Sequence, residues 1–367
     1  MNNSSTQIPE NLLISSTMVF FLIHSMQVGV GILGFEKYIA SEAGYNAWIS
    51  IIITGAGLHL ILWIIYRILE AVDGDIVSVH TFVYGKYIGG GMNFLFSLYY
   101  LLLCVTILRT FIEVIQTWIF PQLPVWLFGL IFILLIYYYV EGGFRVITGA
   151  CVAGVILGLP LLLFKLYPIQ YGNVSNVYPI VDHSILELLA SAKGSIFGFL
   201  GIGLLFVYYP FIKNKNDSKK WAHFGVFYTI ITYLVTAIVA FIYYSEEQIH
   251  QIIWATISLW KIINVSFIER FEYIGISLWV FVVIPNLCLC LWAASRVTKR
   301  IFHIKQRYVL WIYSIILYVA IFFLEDRRAI DRLNNFTSEV GLYFLMYIPV
   351  LYLLVVIIKK VRNRHEA

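Results

Sequence analysis

Charge is what this chain lacks most. Only 12% of its 367 residues are Asp, Glu, Lys or Arg, and 61% are apolar, whereas a soluble domain carries about a quarter charged residues. Surface shrinks too slowly with size for a water-soluble fold to hide that much apolar area. A soluble enzyme, a nucleic-acid module and a disordered chain are therefore excluded. Cysteine is also scarce: Cys104, Cys151, Cys288 and Cys290 all fall inside apolar runs, too few and too deep for a disulfide framework, and they read as packing residues. Catalytic motifs are missing as well. The eight histidines are scattered, with no His-Glu-x-x-His, no paired metal spacing, no Gly-x-Ser-x-Gly elbow and no phosphate-binding loop. The expectation is no enzyme, no metal, no cofactor, and no ATP-driven transport by this chain alone.

What the sequence does hold is long apolar runs. A helix crosses the hydrocarbon with about 20 apolar residues, because every backbone group must be satisfied within the segment. Ten such runs fall at roughly 12–35, 45–69, 87–120, 122–140, 144–167, 185–212, 221–244, 271–295, 307–324 and 338–358. Pro121 and Pro124 stop the third span and start the fourth. Residues 1–367 thus read as one all-α polytopic membrane domain of about ten transmembrane helices. The polar tail Met1–Ser16 has no basic stretch before its apolar run, so the first run is expected to stay as a span.

Loop charges set the orientation. A cytoplasmic N-terminus places Lys213, Lys215, Lys219, Lys220, then Arg296, Lys299, Arg300, Lys305, Arg307, then Lys359, Lys360, Arg362 and Arg364 inside. The outside keeps fewer cations, among them Lys37, Lys165, Lys261 and Arg327, several beside acids such as Glu325 and Asp326. Both termini are predicted to be cytoplasmic. The outer segment 245–271 contains Ile252, Ile253, Trp254, Leu259 and Trp260, too short to span, and reads as an interfacial helix or a cap over the outer mouth.

Ten spans divide as five and five, with repeat one at about 12–167 and repeat two at about 185–358. Inverted repeats place substrate at the midplane between helices that unwind there, and the sequence pointer is a glycine-interrupted span at matching positions of both halves. Span one carries Gln27–Val28–Gly29–Val30–Gly31–Ile32–Leu33, and span six carries Phe197–Gly198–Phe199–Leu200–Gly201. These read as paired breaks, set against the alternative of small-residue packing faces. The stripe Ala150, Gly154, Gly158 in span five is read as packing alone. The ligand site is predicted at Gly29, Val30, Gly31, Ile32, Leu33, Phe197, Gly198, Phe199 and Gly201. Broken ends should offer unpaired N–H groups to a carboxylate and carbonyls to an ammonium.

Gly29–Val30–Gly31–Ile32–Leu33 resembles the Gly-x-Gly-Ile/Leu motif in the first helix of the amino acid–polyamine–organocation transporter superfamily. The closer resemblance is to the spore germination receptor B subunits. Chain length, ten spans, the short tails, the run Phe197–Gly198–Phe199 leading to Pro210–Phe211–Ile212–Lys213, and the membrane Arg109 all agree with it. The resemblance implies a leucine-transporter-type 5+5 fold with broken helices one and six. It also implies a nutrient-sensing subunit in the spore inner membrane that binds a germinant, by analogy an amino acid, together with an A-type membrane subunit and a C-type lipoprotein. Two departures bear on the ligand's polar contacts. The glycine motif continues as Gly34–Phe35–Glu36–Lys37 without the proline that members of this family often carry, and span six lacks the acid that many relatives carry after its break. A secondary-active amino acid permease working by alternating access is the alternative.

Intramembrane charges face a bundle interior or a wet cavity. Arg109 and Glu113, four apart on span three, are read as a structural pair or as a gate or relay, with Tyr99 as a possible gate. His24 reads as a packing residue. Tyr100, Tyr208 and Tyr209 are further aromatics weighed for the cavity. No carboxylate was expected at the breaks of spans one and six and no mid-span lysine in span five, and a sodium site made of carbonyls and hydroxyls stays open.

Overall fold

Each long apolar run is a helix. The computed structural model describes residues 8–178, 182–264, 268–324 and 326–366, with side chains to 362. The first span is in two pieces, α1 (Met18–Gln27) and α2 (Glu36–Ala43), followed by α3 (Ala47–Val72), α4 (Ile76–Trp118), α5 (Val125–Glu141) and α6 (Phe144–Phe164). The second half opens with α7 (Ile185–Phe199) and α8 (Leu205–Tyr208) and runs through α9 (Lys215–Tyr243), the short α10 (Glu246–Gln251) and α11 (Ala255–Trp260), then α12 (Phe271–Phe302), α13 (Gln306–Phe322) and α14 (Arg327–Glu366).

Among the described residues, six helices are long and apolar enough to cross a membrane alone, by length and composition. The bent pair Ile185–Phe199 and Ile202–Phe211 makes a seventh, and three shorter apolar helices, Met18–Gln27, Val125–Glu141 and Gln306–Phe322, fill the remaining places. The ten apolar runs are all matched. The largest boundary difference is at α4, which starts at Ile76 rather than near residue 87. Asp75 caps it, its Oδ1 accepting from the Ser78 N–H at 3.1 Å, and the helix bends at Gly85, whose φ of +76° suits glycine. The piece before the bend is cut off from the longer apolar run by Lys86, so a count along the sequence starts after it.

Packing is densest around α12, which lies along α4 and α6, while α1 sits against α9 and α6. The basic clusters gather at one end of the bundle with the chain's ends. Arg300 pairs with Asp75, Lys213 reaches Glu10 at 2.6 Å, Arg145 donates to the Asn11 carbonyl at 2.8 Å, and Lys359 donates to that of Ala71 at 3.3 Å. Ile14 also donates to the Phe211 carbonyl at 2.8 Å, stapling the N-terminal segment to the end of span six. Glu325 and the side chain of Arg364 lie outside the described residues.

A candidate ligand site between two broken helices

Span one stops being helical at Val28, which is extended (φ −104°, ψ 105°), and residues 28–35 hold only one 3-10 turn, Gly31–Leu33. Span six stops at Leu200, also extended, and Gly201 follows with φ +101°. A Cβ on Gly201 would lie 2.2 Å from Met26 Cγ, so this glycine serves both the backbone turn and the close approach of the two breaks.

Unwinding frees carbonyls that must find donors in a buried setting. The protein supplies them from its own side chains. Asn286 Nδ2 donates to the carbonyls of Ser25 (2.6 Å) and Met26 (3.1 Å), and Trp279 Nε1 to that of Gly29 (3.1 Å). The Tyr233 hydroxyl shares its proton between the carbonyls of Gln27 (3.0 Å) and Gly198 (2.9 Å), so one residue of α9 ties the two breaks together. Gln27 Nε2 reaches the Phe199 carbonyl at 3.4 Å. The Thr256 hydroxyl lies between the Ile32 carbonyl (3.1 Å) and the Glu36 carboxylate (2.8 Å). By contrast, the N–H groups of Gly29, Val30, Gly31 and Ile32 have no acceptor among the described residues. The break therefore presents donors, while the carbonyls of Ser25, Met26, Gln27, Gly29, Gly198 and Phe199 already have side-chain donors.

Two cavities meet at the breaks. The larger, about 370 Å³, lies on the face opposite the termini and is bounded by α2, α7, α14 and the segment between α10 and α11. Lys193, Arg327, Glu42 and Glu339 give it mixed charge, and Phe35, Tyr38 and Trp254 give it aromatic walls. The smaller, about 20 Å³, lies between the breaks and is lined by Gln27, Gly29, Asn286, Leu103 and Leu200 among others. Val30, Gly31, Phe197 and Gly198 line both, and Phe197 is half-buried between them. The α10–α11 segment is a cap: Ile253 and Trp254 line the larger cavity, and the Ile253 carbonyl presses on Gly34 so closely that a Cβ there would lie at 2.0 Å.

Of the nine residues predicted for the site, Gly29, Val30, Gly31, Phe197 and Gly198 line a cavity. Ile32, Leu33 and Phe199 are fully buried in packing, and Gly201 faces Met26. Tyr99 is buried against Phe344, with ring centroids 5.0 Å apart. Tyr100, Tyr208 and Tyr209 are buried too. Arg109 Nε donates to the Leu324 carbonyl at 2.6 Å, and Glu113 pairs with Arg327 at 2.7 Å across the bundle while still interacting electrostatically with Arg109. His24 is a packing residue hydrogen-bonded to Thr229 at 2.9 Å, and all four cysteines are free and buried.

Two expectations fail on charge. Glu36 is a carboxylate at the span-one break: it is the first residue of α2 and has no exposed surface. Lys165, grouped above with outer loop cations, is 2% exposed, donates to Thr236 Oγ1 at 2.8 Å and lies over the Trp279 ring. The two interact electrostatically. Each stands at the edge of an apolar run, where a linear count assigns it to a loop although the folded chain turns it inward. Asn286, Tyr233 and Trp279 were missed for a different reason: an isolated polar group inside an apolar run was the available signal.

A protein-family model described as "Spore germination protein" matches residues 13–330. The chain belongs to the spore germination protein family. This member is 43% identical to spore germination protein GerQB of Bacillus cereus over 95% of its own length and 97% of that relative's. It is 22% identical to spore germination protein B2 of Bacillus subtilis (strain 168) over 90% of each chain. Its fold is similar to that of MhsT, solved in complex with L-phenylalanine, with a TM-score of 0.66 at 14% identity over 92% of this chain and 87% of that one. The family member is an integral membrane protein with a transporter-type helical fold, of the leucine-transporter kind, broken in spans one and six.

Proposed function

We propose that this chain is the nutrient-sensing membrane subunit of a germinant receptor, and that it binds a small molecule, by analogy an amino acid, between the broken helices. The observation that carries this reading is the row of unpaired N–H groups at Gly29–Ile32, where a 370 Å³ cavity reaches the break. Donors at a broken helix suit a carboxylate or another acceptor group of the ligand. The cavity gives room for the rest of an amino-acid-sized molecule. Ligand binding then favours one of two arrangements of the bundle, by no more than its differential affinity for them.

The remaining assignments are proposed by analogy with the family. The subunit sits in the spore inner membrane as one membrane domain with both termini in the cytoplasm, and it assembles with an A-type membrane subunit and a C-type lipoprotein. The basic clusters at the end of the bundle that holds the termini support that orientation. The transporter-type fold supports a second reading, an amino acid permease. Purified protein in liposomes, tested with labelled amino acids for binding and uptake together, separates them. Binding without accumulation is the expected result, and concentrative uptake under a proton or sodium gradient would make the chain a permease.

A further inference from the structure

The smaller cavity between the breaks is chemically unbalanced. Two side-chain oxygens on its wall, Gln27 Oε1 and Asn286 Oδ1, are buried without a hydrogen-bond partner. Their residues are 2% and 1% exposed. The orientation of each amide is fixed by its other end. Asn286 Nδ2 donates to two carbonyls, so turning the group over would set its oxygen against theirs; Gln27 Nε2 donates to the Phe199 carbonyl. Both acceptors are thus held in place. An unsatisfied buried acceptor is costly, so two on one small cavity call for an occupant that donates hydrogen bonds.

Size limits that occupant. About 20 Å³ holds one water-sized group and no more. Val30, Gly31, Phe197 and Gly198 line both this space and the larger cavity, so a molecule with its head here extends past Phe197 into the larger one. The carbonyls of Ser25, Met26, Gln27, Gly29 and Gly198 already accept from Asn286, Tyr233 and Trp279. The two amide oxygens are side-chain acceptors without a partner on this wall.

We propose that Gln27 and Asn286 form the donor-accepting subsite of the ligand, taking the ammonium group of an amino acid whose carboxylate meets the free N–H groups of Gly29–Ile32. This rests on the amino-acid reading above. The subsite carries no formal charge, so it selects for N–H donors in a fixed geometry rather than for positive charge alone.

The test uses the receptor complex in nanodiscs and measures binding of the twenty amino acids, each against its deamino acid, with L-phenylalanine against 3-phenylpropionate as the first pair. In the unaltered protein the deamino form should bind at least about tenfold more weakly, the cost of one or two hydrogen bonds from a charged donor. Gln27→Leu and Asn286→Ala should narrow that gap, Asn286→Ala with a further loss of stability because the Ser25 and Met26 carbonyls lose their donor. Gln27→Glu keeps an acceptor at the same place and should widen it. Melting temperatures identify variants that fail to fold, and Gln27→Glu keeps the test open if Asn286→Ala does. A gap unchanged in folded Gln27→Leu and Gln27→Glu proteins overturns the subsite and leaves the sensing function standing. A gap that appears only when sodium is present would give the cavity to a metal ion and also overturns it. If no amino acid binds the unaltered complex, the amino-acid reading fails and the subsite fails with it.

Discussion

The Arg327 guanidinium donates to the Glu113 carboxylate at 2.7 Å, joining α14 to α4 on the wall of the larger cavity. The same arginine pairs with Asp331 at 2.7 Å and lies over the Trp254 ring of the cap. Three parts of this face of the bundle therefore meet at one side chain.

Unequal losses follow from that arrangement. Glu113→Gln removes one ion pair and leaves Arg327 its other partners, whereas Arg327→Met strips two acids and an aromatic contact together. Half-buried pairs of this kind contribute more than exposed ones and less than fully buried ones. Arg327→Met should lower stability by about 2–3 kcal/mol and Glu113→Gln by about 1 kcal/mol. Thermal melts in detergent check this, and equal losses would mean that Arg327 acts through Glu113 alone.

Tyr233 offers a sharper case. Its hydroxyl is shared by one carbonyl from each break, so Tyr233→Phe leaves two buried acceptors without a donor. The expected loss is about 2 kcal/mol together with a weakened ligand response, since the breaks are no longer tied. Tyr66→Phe is the control: its hydroxyl bonds Ser218 at 2.8 Å, away from the breaks, and it should cost about 1 kcal/mol with response intact. Comparable effects on response would show that the bridge between breaks has no special role.

How far the sequence disclosed this arrangement depends on what each signal measures. Apolar run length located every span, because a bilayer imposes length on each helix separately. Glycine spacing located both breaks, because an unwound backbone and a close approach are local demands, as at Gly201 against Met26. The groups that complete the site came from elsewhere. Tyr233 is on α9, and Asn286 and Trp279 are on α12, each about two hundred residues or more from the carbonyls of span one that they serve. Nothing local marks such residues except being polar in an apolar run. Helical spacing put Arg109 and Glu113 within reach of each other, but it could not show that Leu324 and Arg327, on other elements, also bond them.

Glycine substitutions at the two breaks should differ. A Cβ on Gly198 would lie 2.5 Å from the Tyr233 hydroxyl oxygen and 2.8 Å from its ring, both fully buried, whereas on Gly31 it would lie 3.3 Å from the edge of the half-buried Phe197. Gly198→Ala should therefore disrupt the bridge and abolish ligand response, while Gly31→Ala is accommodated by a small shift of Phe197. Gly31→Trp fills the shared wall and should also abolish response with membrane insertion intact. Response measured against protein abundance in spores decides it; a Gly31→Trp protein that responds normally would remove the breaks from the ligand path.

The last prediction concerns Glu36 and Lys165, two charges almost without exposure. Glu36 holds the start of α2 through Thr256, and Lys165 holds the end of α6 to α9 through Thr236. Glu36 also keeps one oxygen, Oε2, without a hydrogen bond. Removing one member of a buried pair leaves the other uncompensated, at a cost of about 3–5 kcal/mol, while replacing both by neutral groups of similar shape is often tolerated. Glu36→Gln and Lys165→Met should each destabilise strongly, and the double variant should recover a large part of either loss. The coupling energy from that cycle, read from melts of all four proteins, should be at least about 1 kcal/mol. Additive losses would mean that the two charges are held by separate surroundings, and that α2 and α6 are free to move independently when the bundle changes state.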